Sequence, residues 1–190
     1  DPHAVGRDLQ HLFDAAAQAV FTGADSPAVA DVAQEKGKWG VTYDWYGSCK
    51  VEACLTTPYW NWGPVYVDIT EQVIAGTYDQ WFNYFEADTG GLGLYGFMEG
   101  EQPTAGVAEL PADVLQKVRD TLAQMLAGDF TRFDVFSGPI LDNQGNVIVP
   151  EGEQFQYSDI DQFPPGAPGL ECQYCMYWWA EGITAELPEL

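Results

Sequence analysis

Residues 59–66 read YWNWGPVY, which sets Trp60 and Trp62 on either side of Asn61. The chemistry open to such a trio is binding, because an indole face stacks on a flat ring and an amide supplies directed hydrogen bonds. The same aromatics also suit an ordinary core, and residue type alone leaves both readings open. Asp25, Ser26 and Asp44 add oxygens that could accept hydrogen bonds from a sugar hydroxyl or a ring N–H. Their plainer role is structural, as a helix cap for Asp25 and Ser26, and as a cap or solvated loop carboxylate for Asp44. The four cysteines form two close pairs, Cys49 with Cys54 and Cys172 with Cys175. Three disulfide connectivities, a zinc site of four thiolates, or free thiols all remain open, with an oxidising setting favouring disulfides.

Catalytic signals are sparse. His3 and His11 are the imidazoles of the chain, no Ser lies in a GxSxG setting, and Cys49 has no His near it in sequence. Carboxylates are plentiful, but nothing selects two of them as the acid and base of a glycosidase. The reading is a binding protein with no chemical step, no cofactor and no catalytic residue.

The 190 residues carry 29 Asp and Glu against 7 Lys and Arg, a formal charge of −22. Such a surface repels phosphate backbones, so nucleic acid is not an expected partner, and anionic membranes are repelled alike. It suits a salty or extracytoplasmic setting. No segment reaches the roughly 18 uninterrupted apolar residues that a membrane-spanning helix needs. With 46% hydrophobic residues the chain can bury a respectable core.

The elements that must position these side chains follow from periodicity and punctuation. Residues 3–18 place Val5, Leu9, Leu12, Phe13 and Ala16 at helical spacing, and 19–22 reads as a short buried strand. Asp25 or Ser26 caps a helix that Pro27 opens and Gly37 ends. Residues 39–43 form the next strand, with Asp44 at its carboxyl end, and 55–57 a third. Helices are expected over 65–75, stopped by Gly76, and over 111–130, with Val114, Leu115, Val118, Leu122, Met125 and Leu126 on one face and Gly128 as the cap. Residues 90–96 (GGLGLYG) read as a Gly-rich turn that lacks a phosphate-cradle fingerprint. Residues 138–153 read as a hairpin turning at Asp142 to Gly145. Strands alternating with helices predict a parallel sheet, whose ligands bind beyond the carboxyl ends of its strands. Asp25 and Asp44 both fall at such ends.

In order along the chain, DSPA at 25–28, EKG at 35–37, the strand ending in Asp44, LTTPYWNWGPVY at 55–66, GPILDNQGNVIVPEG at 138–152 and WWAEGITAELP at 178–188 resemble the basic membrane protein family. These are substrate-binding lipoproteins of ABC transporters. The resemblance implies an α/β, type I periplasmic-binding-protein-like fold, a parallel sheet with flanking helices, incomplete here because the N-terminal lobe is absent. On that reading 1–57 holds β-α-β units, 58–86 an inter-lobe crossing helix, and 87–190 the completion of the C-terminal lobe and a tail. It implies a small-molecule ligand, a purine nucleoside or nucleobase, held in the inter-lobe cleft by Asp44, Trp60, Asn61, Trp62, Asp25 and Ser26. It also implies an ABC permease as partner, a periplasmic or extracellular location, and a membrane link only through an upstream lipid anchor. Where nucleoside-binding members carry a Lys before the Gly-rich segment, this chain has Asp88, and its two Cys pairs are additional to the family pattern. The alternative is an aromatic-lined carbohydrate-binding module, to which YDWY at 43–46, YDQWFNYF at 78–85 and YCMYWW at 174–179 would contribute flat faces.

Overall fold

The protein is described by a computed structural model covering residues 9–79, 85–156, 159, 174 and 178–185. Two compact units divide it, Asp1–Gly128 and Asp129–Leu190. The first is built on three short parallel strands, β1 (Ala19–Phe21), β2 (Trp39–Val41) and β3 (Cys54–Thr56), in the order β1-β2-β3. Parallel neighbours cannot be joined by a tight turn, so β1 reaches β2 through the helix α1 (Ala28–Lys36). This is the predicted mixed α/β arrangement with a parallel sheet.

Helix α1 buries Val29, Ala30, Val32 and Ala33, the face that the 3.6-residue period presents to the sheet. Leu9, Phe13, Val20 and Ala53 complete that core with Val29, Val32 and Ala33. Each fully buried Val or Leu is worth about 1.5–3 kcal/mol, so this one cluster supplies much of the unit's cohesion. Gly37 adopts φ 62° and closes the helix, its N–H donating to Gln34 O at 3.3 Å. At the other end Pro27 takes the N-cap position, where it was expected one residue further in, and Ser26 Oγ accepts the N–H of Ala28 at 3.2 Å. Gln34 Oε1 accepts the N–H of Ala53 at 2.8 Å, tying the helix to the start of β3. Gly40 is where helix and sheet come closest: a Cβ there would stand 3.0 Å from Ala30 Cα and 3.1 Å from Val29 O.

Several expected boundaries move. The described helical residues at the start are 9–14, followed by Ala16 at φ 75°, so the predicted 3–18 helix ends earlier. Phe21, expected in a buried strand, is 73% exposed. The expected strands 39–43 and 55–57 pair over 39–41 and 54–56. The Gly-rich turn is in part a strand: β4 (Pro58–Trp60) pairs antiparallel with β5 (Leu92–Leu94), Tyr59 opposite Gly93. The Tyr59 ring lies over Gly93, its Cζ 2.3 Å from where a Cβ would stand, so any larger residue there would displace the ring. The helix α2 spans Trp62–Ala75, three residues earlier than expected, so Trp62 opens the helix and Trp60 ends the strand. Helix α3 (Ala112–Ala127) runs between Pro111 and Gly128. None of its apolar stripe is fully buried: Leu115, Val118, Leu122 and Met125 are half-buried, and Val114 and Leu126 are exposed.

The unit Asp129–Leu190 opens with helix α4 (Arg132–Val135), capped reciprocally by Thr131 and Asp134. The Thr131 backbone N–H, foremost, holds the Asp134 carboxyl below its ordinary range. The predicted hairpin follows as β6 (Ile140–Leu141) and β7 (Val147–Val149). Asp142 accepts the backbone N–H groups of Gln144 and Asn146 at 2.9 and 2.8 Å, and the Asn146 side chain lowers its pKa most. Phe155 is fully buried between Phe136, 5.2 Å away in a stack, and Tyr174, at 6.1 Å.

Cys49 and Cys54 form a disulfide across five residues. This removes the zinc reading for that pair, while Cys172 and Cys175 lie outside the described residues. Cys54 belongs to β3 and is fully buried with Ala30, so the bridge anchors the loop 45–53 to the sheet. The double variant Cys49→Ala/Cys54→Ala is expected to lose about 2 kcal/mol, as loop-closure entropy for so short a ring allows. Urea denaturation checks this, and an unchanged midpoint would show that the bridge adds nothing to the fold.

Candidate functional site

Beyond β2 the chain makes a sharp turn at Asp44, whose φ of 75° lies in the left-handed region that a non-glycine residue enters at a cost. The turn is held on its far side by β4: Asp44 bridges Tyr59 in parallel, and the Trp60 N–H donates to Asp44 O at 3.3 Å. One backbone hydrogen bond therefore ties the turn after β2 to the end of β4. Trp60 stands 40% exposed at the end of its strand.

From Trp60 a ladder of rings continues into helix α2. The Trp60 and Trp62 centroids lie 6.1 Å apart at 33°, and Trp62 stacks on Tyr66 at 5.9 Å and 21°. The second step is the i to i+4 spacing of one helix face. Asn61, between the tryptophans, donates its side-chain N–H to Gly90 O and its backbone N–H to Gly91 O, both at 2.9 Å. Its amide thus pins the ladder to the segment leading into β5, and Asn61 Oδ1 is the atom left for a ligand.

A second group of aromatics rises from the loop after Asp44. The Trp45 ring covers Gly47 and receives Lys50 Nζ 5.2 Å above its centroid, a cation–π contact. Tyr46 stacks on Tyr95 at 6.1 Å and 29°, and meets Tyr59 edge-on at 6.1 Å. Trp45 and Tyr46 are both more than half exposed. Beneath them Ser48 Oγ donates toward Trp45 O at 2.6 Å and lies 2.8 Å from the buried Thr42 Oγ1, which fixes the start of the loop. The arrangement offers flat apolar faces, one carboxylate and few cations, so it can stack and hydrogen-bond a flat solute and disfavours an anionic one.

Of the residues singled out from the sequence, Trp60 and Trp62 meet through their rings on either side of Asn61, and Asp44 meets Trp60 through the backbone alone. Asp25 and Ser26 lie past the carboxyl end of β1, in the turn before α1. That turn is held by Thr22 Oγ1, which accepts the Ala24 N–H at 3.1 Å, and by the Ser26 N–H donated to Ala24 O at 2.7 Å. Among the described residues no hydrogen bond links either to Asp44 or to the ladder. Tyr66 is the ring that sequence reasoning missed, and its spacing from Trp62 carried the signal. Trp45 and Tyr46 were legible as an aromatic cluster but not as neighbours of Tyr59 and Tyr95. Among the described residues no group of three or more His, Cys, Asp and Glu is placed to hold a metal ion.

No protein-family model matches the chain. No curated protein is similar to it in sequence. Among solved structures it is similar to an ABC transporter system solute-binding protein from Conexibacter woesei, at 18% identity and a TM-score of 0.47, over 69% of this chain and 42% of that one. It is also similar to a transcriptional activator of the comK gene from Bacillus halodurans, at 13% identity and a TM-score of 0.55, over 70% of this chain and 44% of that one. The second likeness shows a shared fold. The chain spans less than half the length of either protein.

Tyr59 gives the site a spectroscopic handle. Its hydroxyl donates to Glu101 Oε1 at 2.9 Å, and burial first, then that hydrogen bond and the negative charge, push its pKa from 10.0 up to about 12. An acid whose folded pKa is raised adds stability below its unfolded value, and that stability disappears as pH rises from about 10 to about 12. Titration of tyrosinate absorbance is expected to show one late-ionising tyrosine that moves toward the ordinary range in Glu101→Gln. A profile unchanged by that substitution would remove Glu101 as a cause.

Proposed function

We propose that this chain is the C-terminal portion of a two-lobed, type I periplasmic-binding-protein-like receptor of the basic membrane protein kind, the solute-binding component of an ABC importer. Its ligand is a small planar solute, a purine nucleoside or nucleobase, stacked on Trp60 and hydrogen-bonded by Asp44. The observation that carries this reading is the exposed ring ladder of Trp60, Trp62 and Tyr66 beside the turn at Asp44, a turn past the end of β2 whose backbone O accepts the Trp60 N–H at 3.3 Å. Ligands of open parallel sheets bind beyond that end of the strands. The order of sequence motifs along the chain supports the family.

The exposed face of α2 supports incompleteness. Tyr66, Val67, Val73 and Ile74 all stand in solvent, Ile74 80% exposed, on a helix of which only Val65 is buried. An apolar helix face of this kind is normally covered, here by the upstream lobe. Binding is the whole mechanism: stacking buries apolar area, the carboxylate and Asn61 Oδ1 orient the solute, and lobe closure commits it to the permease. The Cys49–Cys54 disulfide supports an extracytoplasmic location, with an upstream lipid anchor as the membrane link.

A carbohydrate-binding platform is the second reading, favoured by the simultaneous exposure of Trp45, Tyr46, Trp60, Trp62 and Tyr66. Isothermal titration separates the two, using adenine, adenosine, guanosine and xylose on this chain and on a chain lengthened upstream. The receptor reading expects micromolar purine binding by the longer chain, weakened up to about tenfold in Trp60→Ala, the scale of a lost aromatic stack. Equal xylose binding by both chains, lost in Trp60→Ala, would overturn it in favour of the platform.

A further inference from the structure

The loop between β2 and β3 carries an ammonium of the chain's own on one of its rings. Lys50 Nζ stands 5.2 Å from the centroid of Trp45, within the roughly 6 Å at which an indole face holds a cation. A strained turn presents that ring. The Trp45 N–H donates to Tyr43 O at 3.0 Å across Asp44 at φ 75°, a γ-turn of the rarer hand. Such a conformation persists only where its surroundings over-determine it. Here the buried Ser48 donates its hydroxyl and its backbone N–H to Trp45 O at 2.6 and 2.9 Å, and Cys49 is bridged to the fully buried Cys54. Gly47 leaves room for the ring, since a Cβ there would run into the indole. Tyr46, its centroid 6.1 Å from that of Trp45 and tilted by 50°, is braced by Tyr59 and Tyr95. Trp45 and Tyr46 are nonetheless 53% and 56% exposed. The result is a fixed pair of tilted rings, open to solvent, that already holds an ammonium.

We propose that Trp45, with Tyr46 beside it, binds a small quaternary ammonium compound, and that Lys50 is the built-in competitor for the site. The primary ammonium of Lys is compact and strongly hydrated, whereas an N-methylated cation is weakly hydrated and spreads its charge over methyl groups. Releasing Lys50 to water and seating the methylated cation on the indole therefore puts each ion in its better surroundings. The −22 charge of the chain draws cations to the surface and repels anions. A neutral saccharide would displace an ammonium from the ring without bringing a charge in return. A metal ion finds no group of three His, Cys, Asp and Glu among the described residues. The purine reading uses neither Trp45 nor Lys50, so the two stand or fall separately.

Saturation-transfer NMR on the full 190-residue chain tests this with choline chloride, tetramethylammonium chloride, xylose and the neutral isostere of choline in which carbon replaces nitrogen. At matched ionic strength the two cations are expected to give N-methyl signals that exceed those of both neutral compounds. Trp45→Ala is expected to abolish them, and the circular dichroism spectrum checks that this surface truncation leaves the fold intact. Lys50→Gln is expected to tighten choline binding about two- to fivefold, the scale of an exposed cation–π contact, and Lys50→Arg to weaken it, because a guanidinium holds the ring better. The Lys50 ε-methylene resonance, identified by its loss in Lys50→Gln, reads the exchange directly. Shifted upfield by the indole in the free chain, it is expected to return toward the position of Lys36, Lys38 and Lys117 as choline saturates. No N-methyl signal in the parent chain, an equal response to either neutral compound, a signal that survives Trp45→Ala, a Lys50→Arg chain that binds like the parent, or a Lys50 resonance that choline leaves in place would each overturn the proposal.

Discussion

The close approach of α1 to β2 is the constraint on which the first unit depends. Gly40 brings the strand so near the helix that a Cβ would stand 3.0 Å from Ala30 Cα, and Ala30 is itself fully buried. Two small residues facing each other let a nine-residue helix press its Val29 and Val32 into the core while three-residue strands keep their parallel register. Strands this short have few ladder hydrogen bonds of their own, so helix packing carries the sheet. With β2 fixed, its carboxyl end is fixed, and from that end hang the turn at Asp44, the aromatic loop and, across one hydrogen bond, the strand that carries Trp60.

Polar ties refine this frame more than charges do. Gln34, Ser48, Asn61 and Glu101 each bind backbone or buried hydroxyl groups at points where the chain changes direction. The exposed Lys36–Asp14 pair, at 2.7 Å, is of the surface kind worth little. The large negative charge is a property of the surface, and the fold is left to packing and hydrogen bonds.

The second unit uses a different device. A stack of Phe136, Phe155 and Tyr174, met edge-on by Trp178 at 6.3 Å from Phe155, stands in for the helix-on-sheet core. Around it the carboxylates of Asp134, Asp142 and Asp159 serve as acceptors for backbone N–H groups in caps and turns, the cheapest way to satisfy donors that short elements leave open.

Local chemistry made much of the chain legible before any coordinates. Gly37, Gly76 and Gly128 all take positive φ at the ends of their helices, as glycines there should, and the Asp142 to Gly145 turn joins its two strands as read. The β-α-β order followed from periodicity alone, whereas Asp44, expected to end the strand 39–43, lies in a turn past β2, which stops at Val41. What the sequence could not decide were partnerships between distant segments. Tyr59 meeting Gly93, Cys49 choosing Cys54, and the backbone of Trp60 bonding that of Asp44 depend on which surfaces are free once the helix and sheet have packed. The exposure of Trp60, Trp62 and Tyr66 was equally undecided, because an aromatic side chain has the same hydrophobicity in a core and in a cleft, and only the tertiary packing determines which faces are left uncovered.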